Sequence, residues 1–322
     1  MKILANDGIS PSGKAKLEAA GFTVVTDTVA QDELEAAINN EGYIGLLVRS
    51  ATKVRQPLID ACPNLKMIGR GGVGMDNIDV DYARSQGREV FNTPASSSLS
   101  VAEMVMTQLF TLARSVYDSN RQMPDNGVSE FKALKKKYGK GSELRGKTLG
   151  VIGFGRIGRA VASYALGAGM KVVAYDLYPS DAPIEWHIEG HGTIAIKPNM
   201  VSMDELLAQS DFITLHVPKQ DGGTAVLGAD ELAKCKDGVM MVNTARGGSI
   251  DEDALIAALD SGKVACAALD VFENEPTPRE DLMKHPKLSL TPHIGAATLE
   301  AQDRIGLELA DKIISITAVA NS

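Results

Sequence analysis

Short runs of apolar, often β-branched residues alternate with longer segments of helical periodicity along the chain, and this alternation constrains the fold most. The first series of predicted strands is KIL (2–4), FTVV (22–25), YIGLLV (43–48), KMIG (66–69) and EVFN (89–92), separated by helical patterns at 11–20, 31–40, 54–61 and 79–86. Strands that alternate with helices predict a parallel sheet covered by helices on both faces. This part of the chain is predicted to be a doubly wound α/β unit.

A second series of strands follows a long predicted helix over about 99–121, in which Ser100 and Glu103 have the spacing of a capping box. Its strands are KTLGVIG (147–153), KVVAYD (171–176), DFITLHV (211–217), GVMMVNT (238–244), KVACAALDV (263–271) and LSL (288–290). A last helix, about 298–318, has no strand left to follow it, so we expect it to return to the first domain. We therefore predict one domain from 1–97 with 291–322 and a second from 98–290, in keeping with a length of 322 residues.

Composition excludes several classes of protein. A net charge of -8 argues against a nucleic-acid binder, and no apolar run approaches the roughly 18 residues that cross a bilayer. The N-terminus lacks the apolar stretch of a signal peptide. Three widely spaced cysteines predict neither a disulfide framework nor a zinc site, so we expect a cytoplasmic protein without a metal.

The segment GVIGFGRIGRAVA (150–162) carries the most specific local motif. Gly153, Gly155 and Gly158 form GxGxxG directly after an apolar strand and before a helical segment. This context predicts a dinucleotide site, because the glycines allow a tight turn, close approach of a pyrophosphate and close packing of helix on strand. Asp176 ends the next strand, 18 residues after Gly158, where its carboxylate would hold a ribose diol and repel a 2′-phosphate. We predict NAD rather than NADP.

Four polar residues follow predicted strands of the second series, at the edge where doubly wound sheets bind ligands. Arg246 follows one strand, Asp270 and Glu275 follow the next, and His293 follows the last. Oxidation of a secondary alcohol needs a base for the hydroxyl proton and a cation for an adjacent carboxylate. Histidine suits the first role, with a neighbouring carboxylate favouring its protonated form, and the arginine fork suits the second. Each residue alone also fits an ordinary structural role.

The same residues resemble the D-2-hydroxyacid dehydrogenases. ARGGSIDEDAL, ALDVFENEP and TPHIGAAT look like the signature segments of that family, and LLVRSATKV (46–54), IGRGGVGMDNID (68–79) and FNTPASSSLSVAE (91–103) look most like its phosphoglycerate dehydrogenase branch. The resemblance covers nearly the whole chain. It implies two doubly wound parallel-sheet domains, a flavodoxin-like substrate domain and a Rossmann NAD-binding domain, with a cleft between them.

The resemblance also implies roles for individual positions. Arg246, Glu275 and His293 would be catalytic. The cofactor would be contacted by Gly153, Gly155, Arg156, Ile157 and Gly158, by Asp176 at the adenine ribose, by Val217, Thr244 and Ala245 along its middle, and by Asp270, Gly295, Ala296 and Val73 at the nicotinamide. The substrate would bind the backbone of Gly71, Gly72 and Val73, and Arg49, Ser50 and Lys135 are further candidates for substrate binding.

The identity of the 2-hydroxy acid depends on Arg49 and on the lysine run 132–140. Phosphoglycerate-type members have an arginine and basic residues at these places, so the resemblance implies oxidation of D-3-phosphoglycerate to 3-phosphohydroxypyruvate, the first step of phosphorylated serine synthesis. A lysine run is also an ordinary solvated helix face. Hydroxypyruvate or glyoxylate reductase remains an alternative, and an NADH-responsive corepressor-type binding protein is a third.

Three further expectations concern the oligomeric state, regulation and the segment at 182–200. The long helix near 99–121 resembles the dimer-forming region of the family, so we expect a homodimer. Too few residues follow the last helix for a C-terminal regulatory domain, so we expect no serine feedback through one. The segment APIEWHIEGHGTIAIKPNM (182–200) is longer and more polar than in the family, and we expect an exposed insertion there rather than a metal site, because His187, Glu189 and His191 lack the HExxH spacing.

Overall fold

The computed structural model describes residues 1–320. Its first elements are β1 (Lys2–Ala5), α1 (Pro11–Ala19), β2 (Thr23–Val25), α2 (Leu34–Glu41), β3 (Tyr43–Val48), α3 (Gln56–Ala61), β4 (Met67–Arg70), α4 (Val80–Ser85) and β5 (Glu89–Asn92). They are followed by α5 (Ser98–Ala113), α6 (Val116–Asn126), α7 (Phe131–Tyr138), β6 (Thr148–Ile152), α8 (Arg156–Gly167), β7 (Lys171–Tyr175), β8 (Ile184–Ile188), β9 (Gly192–Ile196), α9 (Met203–Gln209), β10 (Phe212–Leu215), α10 (Ala229–Lys234), β11 (Val239–Asn243), α11 (Glu252–Ser261), β12 (Val264–Leu269), α12 (Glu280–Met283), β13 (Leu288–Leu290) and α13 (Leu299–Ala320).

The chain divides into two compact units, Met1–Ser98 with the chain from Ala296 onward (unit 1) and Leu99–Gly295 (unit 2). The expected boundaries were 97/98 and 290/291, so residues 291–295 group with unit 2 rather than with the last helix. The physical reason is the buried carboxylate of Asp270, which accepts hydrogen bonds from Thr291, Ile294 and Gly295.

Unit 1 contains a five-stranded parallel sheet in the order β2-β1-β3-β4-β5, the flavodoxin-like order. Successive strand residues point to opposite faces, so Leu4 and Leu46 belong to one apolar cluster and Ile3 and Leu47 to the other. Helix α13 completes the second cluster and crosses α1 at two glycines. A Cβ added at Gly13 would lie 2.5 Å from the Gly306 carbonyl carbon, so the two backbones are in direct contact.

Unit 2 contains a six-stranded parallel sheet in the order β13-β12-β11-β10-β6-β7. A single parallel bridge from Ala174 to Met200 extends the sheet beyond β7, and backbone hydrogen bonds to Asn199 and Val201 flank it. With this bridge counted as a reduced edge strand, the order is that of a Rossmann sheet. The prediction of two doubly wound α/β domains, flavodoxin-like and Rossmann, is therefore confirmed.

The predicted long helix over 99–121 is wrong in one respect, because it is two helices. Ser115 adopts a left-handed conformation (φ 52°), which ends α5 before α6 begins. The carbonyl of Ala113, which a continuous helix would pair with the N–H of residue 117, instead accepts a hydrogen bond from Ser142. The expected capping box is also wrong, because α5 begins at Ser98 and Ser100 already lies inside it.

The insertion at 182–200 forms an antiparallel hairpin of β8 and β9, which pair only with each other. Strand β9 is largely exposed, as expected of an insertion, whereas β8 contacts α8. Ile184 is buried there, and the Ser163 hydroxyl donates to the Glu185 carbonyl. The insertion is therefore exposed at β9, as expected, whereas β8 is exposed at Glu185 and His187 and buries Ile184.

Candidate functional site

The GxGxxG segment forms the turn between β6 and α8. Gly153 has a φ of 88°, and a Cβ there would lie 2.5 Å from the His216 carbonyl oxygen. A Cβ at Gly158 would lie 2.3 Å from the Gly153 carbonyl oxygen, whereas a Cβ at Gly155 would meet no atom within 4 Å. The turn is thus closed on the protein side and open at Gly155, the arrangement that a pyrophosphate needs.

Helix α8 supplies hydrogen-bond donors on this open side. It begins at Arg156, and its N-cap residue Gly155 has no side chain to satisfy the first N–H groups. Such N–H groups favour an anion. Ile157 occupies the second helical position and is half-buried against the apolar core of unit 2. The residues present therefore fit a dinucleotide.

Asp176 follows β7 and is tied to the same turn. Its Oδ2 accepts a hydrogen bond from the Phe154 N–H (2.6 Å), and its Oδ1 accepts one from the Tyr178 N–H (2.9 Å). The carboxylate therefore positions the glycine-rich turn, a structural role in addition to the ribose binding expected from the sequence. Both oxygens retain further acceptor capacity, so the two roles are compatible.

Buried polar atoms lie at the ends of β10 and β11, next to the glycine-rich turn. Thr244 Oγ1 and His216 Nδ1 are buried and have no hydrogen-bond partner among the described residues. The ring of His216 contacts Thr214 Oγ1 through Nε2 at 3.1 Å, and burial lowers the pKa of this imidazole to about 3. Unsatisfied buried polar atoms of this kind indicate that a ligand or water completes the site. Val217 and Ala245 lie beside them in sequence.

His216 was not selected from the sequence. The signal was available, because TLHV places an imidazole directly after a predicted strand of the second series, as SLTPHI does for His293.

His293 and Glu275 form a close pair at the ends of β13 and β12. The Nδ1 atom of His293 lies 2.7 Å from Glu275 Oε2, and the other carboxylate oxygen, Oε1, accepts from the Phe272 N–H at 2.9 Å. Both side chains are partly exposed, 43% for His293 and 35% for Glu275. A carboxylate that binds Nδ1 fixes the ring orientation and leaves Nε2 for proton exchange with another molecule.

Asp270 positions the loop that carries His293. It is 2% exposed, and Oδ1 accepts from the Thr291 hydroxyl (2.6 Å) and the Ile294 N–H (2.9 Å). Its Oδ2 accepts from the Gly295 N–H (2.8 Å), and a Cβ at Gly295 would lie 3.0 Å from the same oxygen. These bonds hold the backbone of His293 in a left-handed conformation (φ 54°). Residues other than glycine seldom adopt this conformation without such restraint.

Arg246 follows β11 and is half-buried. Its Nη1 donates to the Ala245 carbonyl at 2.6 Å. The side chain of Asn243 fixes the local backbone, because its amide donates to the Arg246 carbonyl and accepts from the Ala245 N–H, both at 3.0 Å. Arg246, Asp270, Glu275 and His293 thus follow three successive neighbouring strands of one sheet.

The other candidates lie in unit 1, at the ends of β3 and β4. A carboxylate oxygen of Asp7 accepts from the Arg49 N–H at 2.6 Å, and Arg49 lines a cavity of about 210 Å³ together with Gly71 and residues of α13. A Cβ at Gly71 would lie 3.6 Å from Arg49 Cγ, and a Cβ at Gly72 would overlap the Arg70 guanidinium at 1.6 Å. Arg49 and Arg70 therefore flank the two glycines.

Arg70 is a second residue that the sequence reading missed, although it ends a strand directly before Gly71 and Gly72. Its Nη2 donates to the Ser50 hydroxyl at 3.3 Å. The N–H groups of Gly71 and Gly72 already donate to the Val48 carbonyl and the Thr93 hydroxyl, respectively. A substrate that binds these two N–H groups would therefore compete with acceptors inside unit 1. Val73 is more than one-third exposed, and its carbonyl accepts from the Asn92 amide.

Lys135 and its neighbours lie on α7 and the residues around it in unit 2. Lys137 pairs with Asp118 at 2.8 Å, which accounts for one lysine of the run structurally.

In the hairpin, His187 contacts Thr193 and Glu189, and residues 1–320 contain no cluster of three metal-ligating side chains. No helix in that range is long and apolar enough to cross a membrane.

Comparisons with known proteins show the family to which the chain belongs. Residues 106–295 match the family described as D-isomer specific 2-hydroxyacid dehydrogenase, NAD binding domain. A solved D-lactate dehydrogenase from Aquifex aeolicus, complexed with NAD and lactic acid, superposes with a TM-score of 0.78 at 29% identity, covering 99% of this chain and 96% of that one.

Two curated relatives cover nearly all of this chain. A hydroxypyruvate reductase from Thermotoga maritima is 45% identical over 295 residues, which are 90% of this chain and 89% of the relative. A D-3-phosphoglycerate dehydrogenase from Rattus norvegicus is 40% identical over an alignment of 328 positions that covers 100% of this chain and 58% of the relative, so the chain spans little more than half of that protein. The chain therefore belongs to the D-isomer-specific 2-hydroxyacid dehydrogenases, a family of NAD-dependent enzymes.

Proposed function

We propose that the chain catalyses the NAD-dependent oxidation of D-3-phosphoglycerate to 3-phosphohydroxypyruvate. The observation that carries the choice of substrate is the pair of arginines, Arg49 and Arg70, next to the Gly71–Gly72 backbone. Guanidinium groups are well suited to a phosphoryl group, because they present planar arrays of charged donors. Unit 1 is then the substrate domain and unit 2 the cofactor domain.

His293 is the acid–base residue in this proposal. Its Nε2 takes the proton from the substrate hydroxyl during oxidation and returns it during reduction, while Glu275 holds Nδ1 and orients the ring. Arg246 binds the substrate carboxylate and polarises the carbonyl oxygen as it forms. NAD, when bound, accepts or supplies the hydride at its nicotinamide ring.

Most of the proposed cofactor contacts lie in unit 2. The open face at Gly155 and the N–H groups of Arg156 and Ile157 receive the pyrophosphate. Asp176 binds the adenine ribose, and the buried hydroxyl of Thr244, with Val217 and Ala245, lies along the middle of the dinucleotide. The nicotinamide is bounded by the residues Asp270, Gly295, Ala296 and Val73.

The substrate contacts are assigned in the same way. The backbone at Gly71, Gly72 and Val73 receives the substrate, with Val73 presenting the exposed surface. Arg49, Arg70 and Ser50 receive the phosphoryl end, and Lys135 is a further basic contact.

Reduction of hydroxypyruvate is the second candidate. It is favoured by the relative from Thermotoga maritima, which is more similar to this chain than the rat phosphoglycerate dehydrogenase is. Hydroxypyruvate has no phosphoryl group, so this reaction leaves the two arginines of unit 1 without a specific purpose.

A kinetic panel separates the candidates. We expect a higher kcat/KM for D-3-phosphoglycerate than for D-glycerate with NAD, and for phosphohydroxypyruvate than for hydroxypyruvate or glyoxylate with NADH. Arg49→Ala is expected to raise KM for the phosphorylated substrate about 10-fold or more, the loss of one charge-assisted contact, and to change KM for glycerate little. Equal or better turnover of the unphosphorylated acids would refute the assignment and favour hydroxypyruvate reduction.

We also propose a homodimer that forms through α5–α7. Exposed apolar side chains recur along this segment, a density that favours a protein partner, and the expected occupant is a second copy of the chain. They are Leu99, Phe110, Val116, Met123, Val128 and Phe131.

Light scattering tests the dimer. Phe110→Asp should give the mass of a monomer, whereas Leu299→Asp, at an exposed leucine of α13, should not change the mass. A monomeric wild-type chain would refute the dimer. Capture of a peptide partner without turnover of any 2-hydroxy acid would instead favour the corepressor-type alternative.

We place the protein in a reducing cytoplasm. The three cysteines, Cys62, Cys235 and Cys266, are buried free thiols, and burial raises the pKa of each.

A further inference from the structure

Glu252 is a buried carboxylate to which neither the sequence motifs nor the proposed mechanism gives a role. It is the first residue of α11 and is 6% exposed, although a glutamate at a helix N-terminus is ordinarily solvated. Its Oε1 accepts a hydrogen bond from the Glu273 N–H at 2.8 Å, across 21 residues of sequence. Burial raises the pKa of this carboxyl group, so its placement has an energetic cost.

The bond from Glu252 holds the loop that carries Glu275. Phe272, which precedes Glu273, donates its N–H to Glu275 Oε1, and the second oxygen of Glu275 binds His293 Nδ1. A carboxylate on α11 is therefore connected through two backbone amides of the loop to the acid–base pair.

The Arg246 loop packs against the same segment. A Cβ at Gly247 would lie 1.9 Å from the Phe272 carbonyl oxygen, so only glycine allows the two backbones to approach this closely. Asn274 lies in the left-handed region (φ 58°), which asparagine tolerates better than most residues. The Glu252 carboxylate anchors this irregular loop at its centre.

We infer that Glu252 is a positioning residue for the catalytic pair, holding the 272–275 loop so that the Glu275 carboxylate meets His293 Nδ1. Together with Asp270, it gives each half of the pair its own buried carboxylate: Asp270 anchors the His293 loop and Glu252 anchors the Glu275 loop. The inference rests on the roles proposed above for Glu275 and His293.

Three variants of this helix terminus test the inference. Glu252→Ala removes the acceptor and is expected to lower kcat about 10- to 100-fold, since small displacements of catalytic groups cost this much, with little change in the Kd for NADH. Glu252→Gln keeps an acceptor oxygen and should restore most of the rate. Asp251→Ala is the matched control, because the Asp251 carboxylate caps α11 through the Ala254 N–H, within its own helix. Its kcat should remain near that of the wild type.

A double-mutant cycle asks whether Glu252 acts through Glu275. In a Glu275→Gln background, Glu252→Ala should lower kcat far less than it does in the wild type, because the group that it positions has already been changed. Equal effects in both backgrounds, or the same loss of rate in Asp251→Ala, would overturn the inference.

Amide hydrogen exchange provides a readout without substrate. The peptide that contains residues 272–275 should exchange faster in Glu252→Ala than in the wild type or in Asp251→Ala. If the alanine variant does not fold, Glu252→Asp, which shortens the side chain by one methylene, should show the same faster exchange and an intermediate kcat. An exchange rate equal to that of the wild type in either folded variant would overturn the inference. Inactivity of the wild-type chain on every 2-hydroxy acid would overturn the proposed function instead, since exchange is measured independently.

Discussion

Replacement of Asp270 by asparagine should destabilise unit 2 and impair catalysis together. The carboxylate is almost fully buried and accepts three hydrogen bonds from the Thr291–Gly295 loop. An asparagine that keeps its oxygen at the Oδ1 position would still accept from Thr291 and Ile294. Its NH2 group would then face the Gly295 N–H, so one buried donor would lose its acceptor.

The magnitude follows from these bonds. An unsatisfied buried donor costs about 1–3 kcal/mol, and the loss of charge weakens the two remaining bonds, while relief from burying a charge offsets part of the cost. A net loss of about 2 kcal/mol in the free energy of unfolding is expected, which corresponds to a decrease in Tm of about 4–8 °C for a unit of this size. Because His293 lies within the released loop, kcat should fall about 100-fold.

Thermal unfolding and steady-state kinetics of Asp270→Asn measure both effects. Asp260→Asn is the matched control, since Asp260 is an exposed carboxylate of α11 that contacts His285 at 3.3 Å. A variant at position 270 with the Tm and kcat of the wild type would refute the argument that this carboxylate positions the loop.

Three further predictions follow from local features. Burial lowers the pKa of His216 to about 3 in the folded chain, against about 6.5 in the unfolded chain, so the unfolded state binds the additional proton first as the pH falls. The contribution to stability is complete above about pH 6.5, and the free energy of unfolding should be lower by about 1–2 kcal/mol at pH 5. In urea titrations at both pH values His216→Asn should reduce this loss, and an unchanged loss would contradict the prediction. Gly155→Ala should weaken NADH binding without lowering Tm, because a Cβ there meets only open space, whereas Gly158→Ala should lower both the NADH affinity and the Tm, because a Cβ there meets backbone. Fluorescence titration measures the affinity and calorimetry the Tm, and equal Tm values for the two variants would count against the close packing at Gly158. Ser202→Ala should cost about 1 kcal/mol in urea unfolding through loss of the capping box of α9. Ser261→Ala is a control that should cost less, because the Ser261 hydroxyl donates to the Ala258 carbonyl and accepts a long bond from the Lys263 N–H (3.5 Å) at the other end of a helix, α11.

The sequence predicted the sheets because their strands are buried on both faces and therefore read as continuous apolar runs. It also placed Arg246, Glu275 and His293 at strand ends, since the end of an apolar run is visible in the sequence. The break at Ser115 could not be seen, because it depends on Ser142 occupying the Ala113 carbonyl from a distant segment. Non-local hydrogen bonds leave no periodicity in a sequence.

The supporting parts of the site were hidden for the same reason. Glu252 lies in SIDEDAL among other acidic residues, and only the three-dimensional structure shows that its carboxylate is buried and bound to Glu273. Asp270 was selected for its place after a strand, whereas its bonds to the His293 loop needed the structure. Arg70 and His216 did carry a visible signal, a polar side chain at the end of an apolar strand.

The position of α13 in unit 1 determines when the protein can finish folding during synthesis. The apolar face formed by Ile3 and Leu47 is completed by Ile305, Leu309 and Ile313, which the ribosome makes only after all of unit 2. At a translation rate of about 5–20 residues per second, the first sheet waits on the order of 10–40 s for its covering helix. Unit 2 is one continuous segment and can close its own sheet in that interval. The earliest part of the chain is thus the last to be completed, and one apolar face of its sheet stays uncovered until α13 has been made.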